Sequence, residues 1–267
     1  MMFESIRYIG EEHKKNWRLI MKLAYMDSGK QTARSSLGIL WIYFRDLLFI
    51  GVFVLFRMLI SGNDKISGMD SIVYLVTGMI PWFFINDVLV QGGMAIRNSR
   101  GIIQSLHFPV VVLPSVSVLS ILLKRILSFL LIFVVCILFG YRETIHLGLF
   151  LYYMWAMLCL MFSLNLVTTA IISVSDDFRQ LYESVLRIMI YTMPILWDFS
   201  RVKAVLPNVL LRINPMVYVI KGFRDAFVLG HTQDALYTVY FWGCVLVLFF
   251  LGSFFQFRLK KYYGDLM

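Results

Sequence analysis

The sequence predicts an all-α integral membrane protein with six transmembrane helices, an amphipathic N-terminal segment, and a broken, re-entrant outer hairpin between spans five and six. Two observations carry this fold class. Hydrophobic residues make up 60% of the 267-residue chain and charged residues 15%. The mean hydropathy is +0.76, an apolar content beyond what one soluble core requires. The apolar residues also fall in runs long enough to cross a hydrocarbon layer of about 30 Å, which takes about 20 helical residues at about 1.5 Å each. Charged residues (Glu4, Arg7, Glu11, Glu12, Lys14, Lys15) stand where a cleavable signal would place its apolar stretch, so the first span is expected to direct insertion.

Residues 1–35 read as a cytoplasmic amphipathic segment and 36–267 as the transmembrane domain. Within 5–25, Ile6, Ile9, Trp17, Ile20, Met21 and Ala24 recur at helical spacing against Glu11, Glu12, His13, Lys14, Lys15 and Arg18. Such a helix is too polar to span; it lies along a membrane surface or packs on a soluble partner. Spans are expected at 37–60, 71–95, 110–139, 147–172, 184–199 and 235–257. The stretch 200–234 mixes Pro207, Pro215 and the basic residues Arg201, Lys203, Arg212, Lys221 and Arg224 with apolar ones. Irregular backbone survives at membrane depth only where protein or water covers it, which suits a re-entrant element. Basic residues gather before the first span and after the last (Arg258, Lys260, Lys261), placing both termini in the cytoplasm and requiring an even number of spans.

Little points to catalysis. DSGKQT at 27–32 is superficially a phosphate loop, yet Ala24 and Gln31 replace the first glycine and the hydroxyl of G-x-x-x-x-G-K-[ST]. Any ATP and magnesium therefore belong to another chain, and none is expected as a cofactor here. Cys136, Cys159 and Cys244 stand singly and the four histidines are scattered, so no metal site is expected. The net charge of +9 reads as a topology signal rather than nucleic-acid binding, since no stacking or groove-reading motif accompanies it. The intramembrane charges Arg45, Asp46, Asp87, Lys124 and Arg125 are functional candidates, as interhelical ion pairs or as the wall of a wet path. Arg57 is expected to snorkel, and Arg187 to pair with Glu183 one turn earlier. The abundant aromatics suit interfacial belts or a sugar-stacking pore, and composition does not choose between them.

Several fragments together resemble the membrane subunit of ABC-2 type exporters of polysaccharide, teichoic acid or O-antigen. RSSLGILW (34–41) resembles the family's L-G-x-L-W, and Gly78, Pro81 and Trp82 its G-x-x-P-W. Phe108-Pro109 with Leu113-Pro114 resembles F-P-x-x-x-L-P, and Phe178-Arg179 with Leu181 resembles F-R-D-L. Pro194-Ile195, Leu206-Pro207, Asn214-Pro215, Phe223-Arg224 and Gly230 follow the family's order of P-I, L-P, N-P, F-R and G. The resemblance covers nearly the whole chain. It implies a homodimer whose seam forms a channel, served by two copies of a separate cytoplasmic ABC ATPase, in a bacterial cytoplasmic membrane. The cargo it implies is a glycan or polyol phosphate on a polyprenyl diphosphate lipid.

Residue by residue, the resemblance implies an interface helix at the N-terminus and a coupling helix at 97–107, with Arg97, Asn98, Arg100, Ile102, Ile103, His107 and Phe108 meeting the ATPase. It implies a gate at 200–230 carrying Arg201, Lys203, Arg212, Asn214, Lys221 and Arg224, which meets lipid headgroups or substrate. Trp41, Tyr43, Arg45, Asp46, Asp87, Tyr191 and Trp197 are candidates for the channel or dimer seam. Arg45 and Asp46 replace the family's usual polar residue and proline; Asp87 is a candidate partner for Arg45, and Lys124 or Arg125 for Asp46. The rivals are an ion-coupled secondary transporter, whose internal repeat is not evident between 37–139 and 147–257, and a membrane-embedded transferase, for which Asp176-Asp177 is the candidate acidic pair.

Overall fold

The computed structural model describes residues 2–30, 38, 40–61, 65–66, 68–99, 101, 108–174, 176–196 and 212–260. Ten α-helices are found among them: α1 (Met2–Lys15), α2 (Trp17–Lys30), α3 (Leu40–Ser61), α4 (Ser71–Asp87), the single turn α5 (Ala95–Asn98), α6 (Leu113–Leu138), α7 (Leu147–Val174), α8 (Asp176–Thr192), α9 (Pro215–Arg224) and α10 (Ala235–Leu259). Two wide π-helical turns extend helices, Val88–Gly92 after α4 and Asp225–Leu229 after α9. The described residues form no strand beyond an isolated bridge between Ile66 and Met69.

The N-terminal segment is two helices rather than one. The ladder carries across the joint, with Asn16 N donating to Glu12 O (3.0 Å) and Ile20 N to Asn16 O (2.9 Å). The Asn16 amide also donates to the Glu12 carbonyl (2.9 Å) and carboxylate (3.0 Å). Its apolar face is covered by the chain itself. Ile9, Ile20 and Ala24 are buried against Val111, Val112, Val116 and Leu166, whereas Trp17 and Tyr25 remain exposed. α1 lies on α10 and α2 on α6, and Tyr8 meets Phe257 edge-on at 5.7 Å.

By length and composition four helical stretches are able to cross a membrane: Ser71–Gly92, Val110–Leu138, Leu147–Val174 and Ala235–Leu259, of 22 to 29 residues. The shortest of them reaches about 33 Å at 1.5 Å per residue. The other two expected spans differ in kind. α3 has 22 residues but carries Arg45, Asp46 and Arg57. α8 has 17 residues and begins at Asp176, within the stretch 173–183 expected as a loop, because Asp177, Arg179, Gln180 and Glu183 form the polar side of one amphipathic helix rather than a connection.

α7 is the axis of the bundle, packed by α10, α9 and α6. The main core joins Val73–Leu89 on and just beyond α4, Phe129 and Ile132 on α6, Tyr153–Met161 on α7 and Met216–Phe227 on and beyond α9. α9 is short because its ends are fixed by local chemistry. Asn214 caps it by accepting from Met216 N (3.0 Å), and Pro215 at the first position loses no ladder bond. The turn after it stops at Gly230, whose φ of 67° lies in the left-handed region that glycine alone enters freely. The descending limb of the expected hairpin, 200–211, lies outside the described residues.

The half-buried His13 ring joins α1 to α6: Nδ1–H donates to Ile9 O (2.8 Å) and Nε2 accepts from Ser115 Oγ (2.6 Å). Burial holds its pKa below the ordinary histidine value. The unfolded chain therefore takes up a proton that the folded one resists, and stability falls as pH drops through about 6.5. Between about pH 7.5 and 5.5 the melting temperature of the purified chain should fall more than that of His13→Gln, which does not titrate there; equal pH slopes would contradict this.

Candidate functional site

A buried guanidinium organises the middle of the bundle. Arg125 on α6 is 1% exposed, in surroundings where an unpaired charge would cost several kcal/mol. It is met from both sides. Its Nε and Nη2 donate to Asp87 Oδ2 on α4 at 2.9 and 2.5 Å, and Nη1 donates to Asp46 Oδ2 on α3. The ring of Phe83 lies 5.7 Å from the guanidinium carbon. The neighbouring Lys124, also buried, turns toward α2, where its Nζ is 3.9 Å from Asp27 Oδ2 and Ser120 donates to the same oxygen at 2.7 Å. Tyr43 on α3 donates to the Lys124 carbonyl at 2.6 Å.

The expected partners are thus partly rearranged. Asp46 does pair within the chain, with Arg125. Asp87, offered as a partner for Arg45, instead shares Arg125, whose forked donors serve two carboxylates as one lysine ammonium does less well. Arg45 is exposed. Glu183 pairs with Arg179 at 3.7 Å rather than with Arg187. Arg57, partly buried, has its Nε and Nη2 enclosed and lines a pocket with Phe53, Phe56, Leu75 and Tyr191.

Above the cluster opens a groove of about 300 Å³ between α3, α4, α6 and α8. Asp46, Asp87 and Arg125 form part of its lining with the aromatic rings of Phe49, Trp82 and Phe83, and Arg45 and Arg187 complete it. One cation and two carboxylates leave the cluster with a formal charge of −1, and Arg45 and Arg187 bring the groove to +1. Charged groups and aromatic faces in one cleft suit a ligand with both hydroxyl or phosphate groups and apolar ring faces. Of the other residues expected here, Trp41 packs on Phe44 at 5.6 Å and, like Tyr191, is exposed. Trp197 lies outside the described residues.

At the end of the bundle near α1 and α2, Arg97 donates to Ile172 O at 3.3 Å, Asn98 is exposed, and Phe108 packs between two small apolar clusters. Arg100, Ile102, Ile103 and His107 lie outside the described residues.

At the far end Arg224 is 5% exposed and turned inward. It donates to Pro194 O (2.5 Å), Tyr74 O (3.3 Å) and Ile195 O (3.3 Å), and its guanidinium lies 3.6 Å over the Tyr74 ring. A Cβ at Gly78 would come within 2.5 Å of its Nη2. Three sequence fragments far apart in the chain, G-x-x-P-W, P-I and F-R, thus meet in one contact. Arg212 and Lys221 are exposed and line a cavity there, and Asn214 caps α9. Arg201 and Lys203 lie outside the described residues. Asp225, wholly buried beside Arg224, was not singled out in the sequence, although an Arg-Asp pair inside an apolar run is the same signal that exposed Arg45-Asp46.

Four helices long and apolar enough to cross a membrane, packed around an interior ion cluster, mark a multi-pass membrane protein. The sequence pattern of the ABC-2 type transporter family matches residues 22–228, well over half the chain, and the protein belongs to that family. It is 24% identical over 218 residues to the O-antigen export system permease protein RfbA of Myxococcus xanthus, covering 81% of this chain and 83% of that protein.

Replacing Arg125 by leucine strands two buried carboxylates and should cost about 3–5 kcal/mol, read as a large drop in melting temperature in lipid nanodiscs. Adding Asp46→Asn and Asp87→Asn to Arg125→Met removes the uncompensated charge and should recover most of that loss. A triple variant no more stable than Arg125→Leu would refute the charge account.

Proposed function

We propose that this chain is the membrane-spanning subunit of an ATP-driven exporter that carries a polyprenyl-diphosphate-linked polysaccharide, of the O-antigen kind or a teichoic acid, across the bacterial cytoplasmic membrane. The observation that carries the reading is the family match over residues 22–228, and the O-antigen export permease aligned over most of the chain supports the cargo class. The groove beside Arg125 adds physical support. A glycan sliding past needs surfaces that stack on sugar faces and exchange hydrogen bonds without holding any one unit tightly.

In this reading two copies associate with their α3 and α8 sides toward a shared channel, so that Arg45 and Arg187 face the passing polymer. Both termini are cytoplasmic and α1 and α2 form the interface helices. Residues 97–107 form the element through which two ATPase subunits, holding ATP and magnesium, push on the spans; closure of a paired ATPase moves a membrane domain only through a rigid element docked in it. α3 and α8 complete six spans, the charges of α3 being tolerated because Asp46 is paired and Arg45 faces water. Basic residues of 200–230 attract the anionic headgroup of the carrier lipid.

Ile102→Asp should leave membrane insertion intact while weakening co-purification of the ATPase by tenfold or more, about 1.4 kcal/mol. Arg45→Leu should slow export of the host glycan with the ATPase still bound. A chain that transports alone, with no ATPase partner recovered from native membranes, would overturn the reading.

A further inference from the structure

The cavity of about 200 Å³ at the far end of the bundle contains a group of polar atoms that the fold does not use. Among the described residues no hydrogen bond of ordinary geometry reaches Gln233 Oε1 or Tyr237 Oη, and the Asp225 carboxylate has only the Gln233 side chain in loose contact, with Lys221 and His231 beside it; all four oxygens are enclosed. Asp225 is 0% and Gln233 8% exposed, and all three residues line the cavity. Gln233 is not free to turn its amide over, because Nε2 donates to Tyr218 O at 2.8 Å; Oε1 is thereby held as an acceptor. The nearest ion-pair partner of Asp225 is His231 Nδ1, at 4.0 Å from Oδ1 and beyond hydrogen-bond reach. A buried carboxylate so poorly supplied with donors is costly, and a donating group in this space would relieve it.

Three classes of ligand are separated by charge. A metal ion would find oxygen ligands but would also meet Arg212, Lys221 and Arg224, which line the same cavity, against two carboxylates, Asp225 and Asp234. An anion would face the buried Asp225 and an array of acceptors. A neutral ligand with several hydroxyl groups satisfies both sides: its O–H groups donate to Asp225, Gln233 and Tyr237, and its oxygens accept from the cations. Met69, Val217 and Leu229 supply apolar wall for C–H faces, and the volume lies below the range of about 300–1,000 Å³ for drug-sized ligands, which suits one ring.

We propose that this cavity is a binding site for a single sugar unit, held through its hydroxyl groups by Asp225, Gln233 and Tyr237. Tyr237 stands one turn into α10, whose other end carries Phe257 against Tyr8 of α1, about 30 Å away by helical rise. The site is therefore at the end of the bundle opposite the N-terminal helices, where an exported glycan would leave. That source of the sugar rests on the export reading; the recognition chemistry does not.

The test uses the full chain in lipid nanodiscs without ATPase or ATP, with the methyl glycosides of glucose, galactose, mannose and rhamnose as probes. Saturation-transfer NMR should show binding of at least one. Asp225→Asn and, separately, Tyr237→Phe should weaken it by tenfold or more, about 1.4 kcal/mol, in samples that remain monodisperse. Gln233→Leu provides a further variant should either misfold. No transfer to any glycoside, or transfer unchanged in all folded variants, overturns the proposal and leaves ordered water as the occupant. Protection of wild type but not Asp225→Asn by calcium, or of wild type by inorganic phosphate, with no glycoside binding, overturns it in favour of an ion. Because export plays no part in the measurement, loss of the export reading would not alter its outcome.

Discussion

The bundle is organised by the requirement that a guanidinium buried among apolar helices be neutralised where it stands. Water screens little there, so a charge without a partner is worse than no charge at all. Arg125 meets the requirement with carboxylates from two other helices. Because the forked donors must reach Asp46 and Asp87 together, sliding α3 or α4 by one turn would break a pair and leave a carboxylate stranded. The cluster therefore fixes the mutual register of three helices that are otherwise smooth and apolar, a task for which hydrophobic packing, being non-directional, is poorly suited. Lys124 and Asp27 do the same for α2 through a longer contact.

Arg224 applies the same economy to backbone rather than to charge. The chain leaves helical geometry after Thr192, which exposes carbonyl groups with no ladder partner, and in apolar surroundings these need donors. One guanidinium supplies Pro194, Ile195 and Tyr74 together. Gly78 is small so that the guanidinium can lie flat against α4. Arg224, which the resemblance places in the gate, is turned inward as a buttress, while the more exposed Arg212 and Lys221 line the cavity.

Much of this architecture was legible in the sequence. Runs of apolar residues gave the four long helices almost to the residue, since a span of 110–139 meets an ordered stretch of Val110–Leu138. Asn214-Pro215 and Gly230 entered the sequence reading only as fragments of the family resemblance; the structure shows them as the cap of α9 and the left-handed stop of its extension. What eluded sequence reasoning was pairing across helices. Spacing along one helix suggested Glu183 for Arg187, yet Arg179 on the same helix took that carboxylate; matching opposite charges among the spans offered Arg45 a partner in Asp87, yet Arg125 of α6 holds that carboxylate. The N-terminal periodicity identified an amphipathic helix but not its partner, because an apolar stripe looks the same whether a bilayer, another protein or the chain's own α6 and α10 covers it.

Each of the two wide turns follows at once upon a clamping residue, Val88–Gly92 after Asp87 and Asp225–Leu229 after Arg224. A wide turn accommodates one surplus residue while the helix continues. After Asp87 the clamp sets the azimuth of the helix upstream and packing against α7 sets it anew downstream, whereas after Arg224 the wide turn closes the helix at Gly230. These two places are thus where the chain can tolerate a one-residue insertion or deletion with least damage, absorbing it as a change between wide and ordinary turns. A gene lineage would be expected to vary in length there sooner than anywhere else within its long helices.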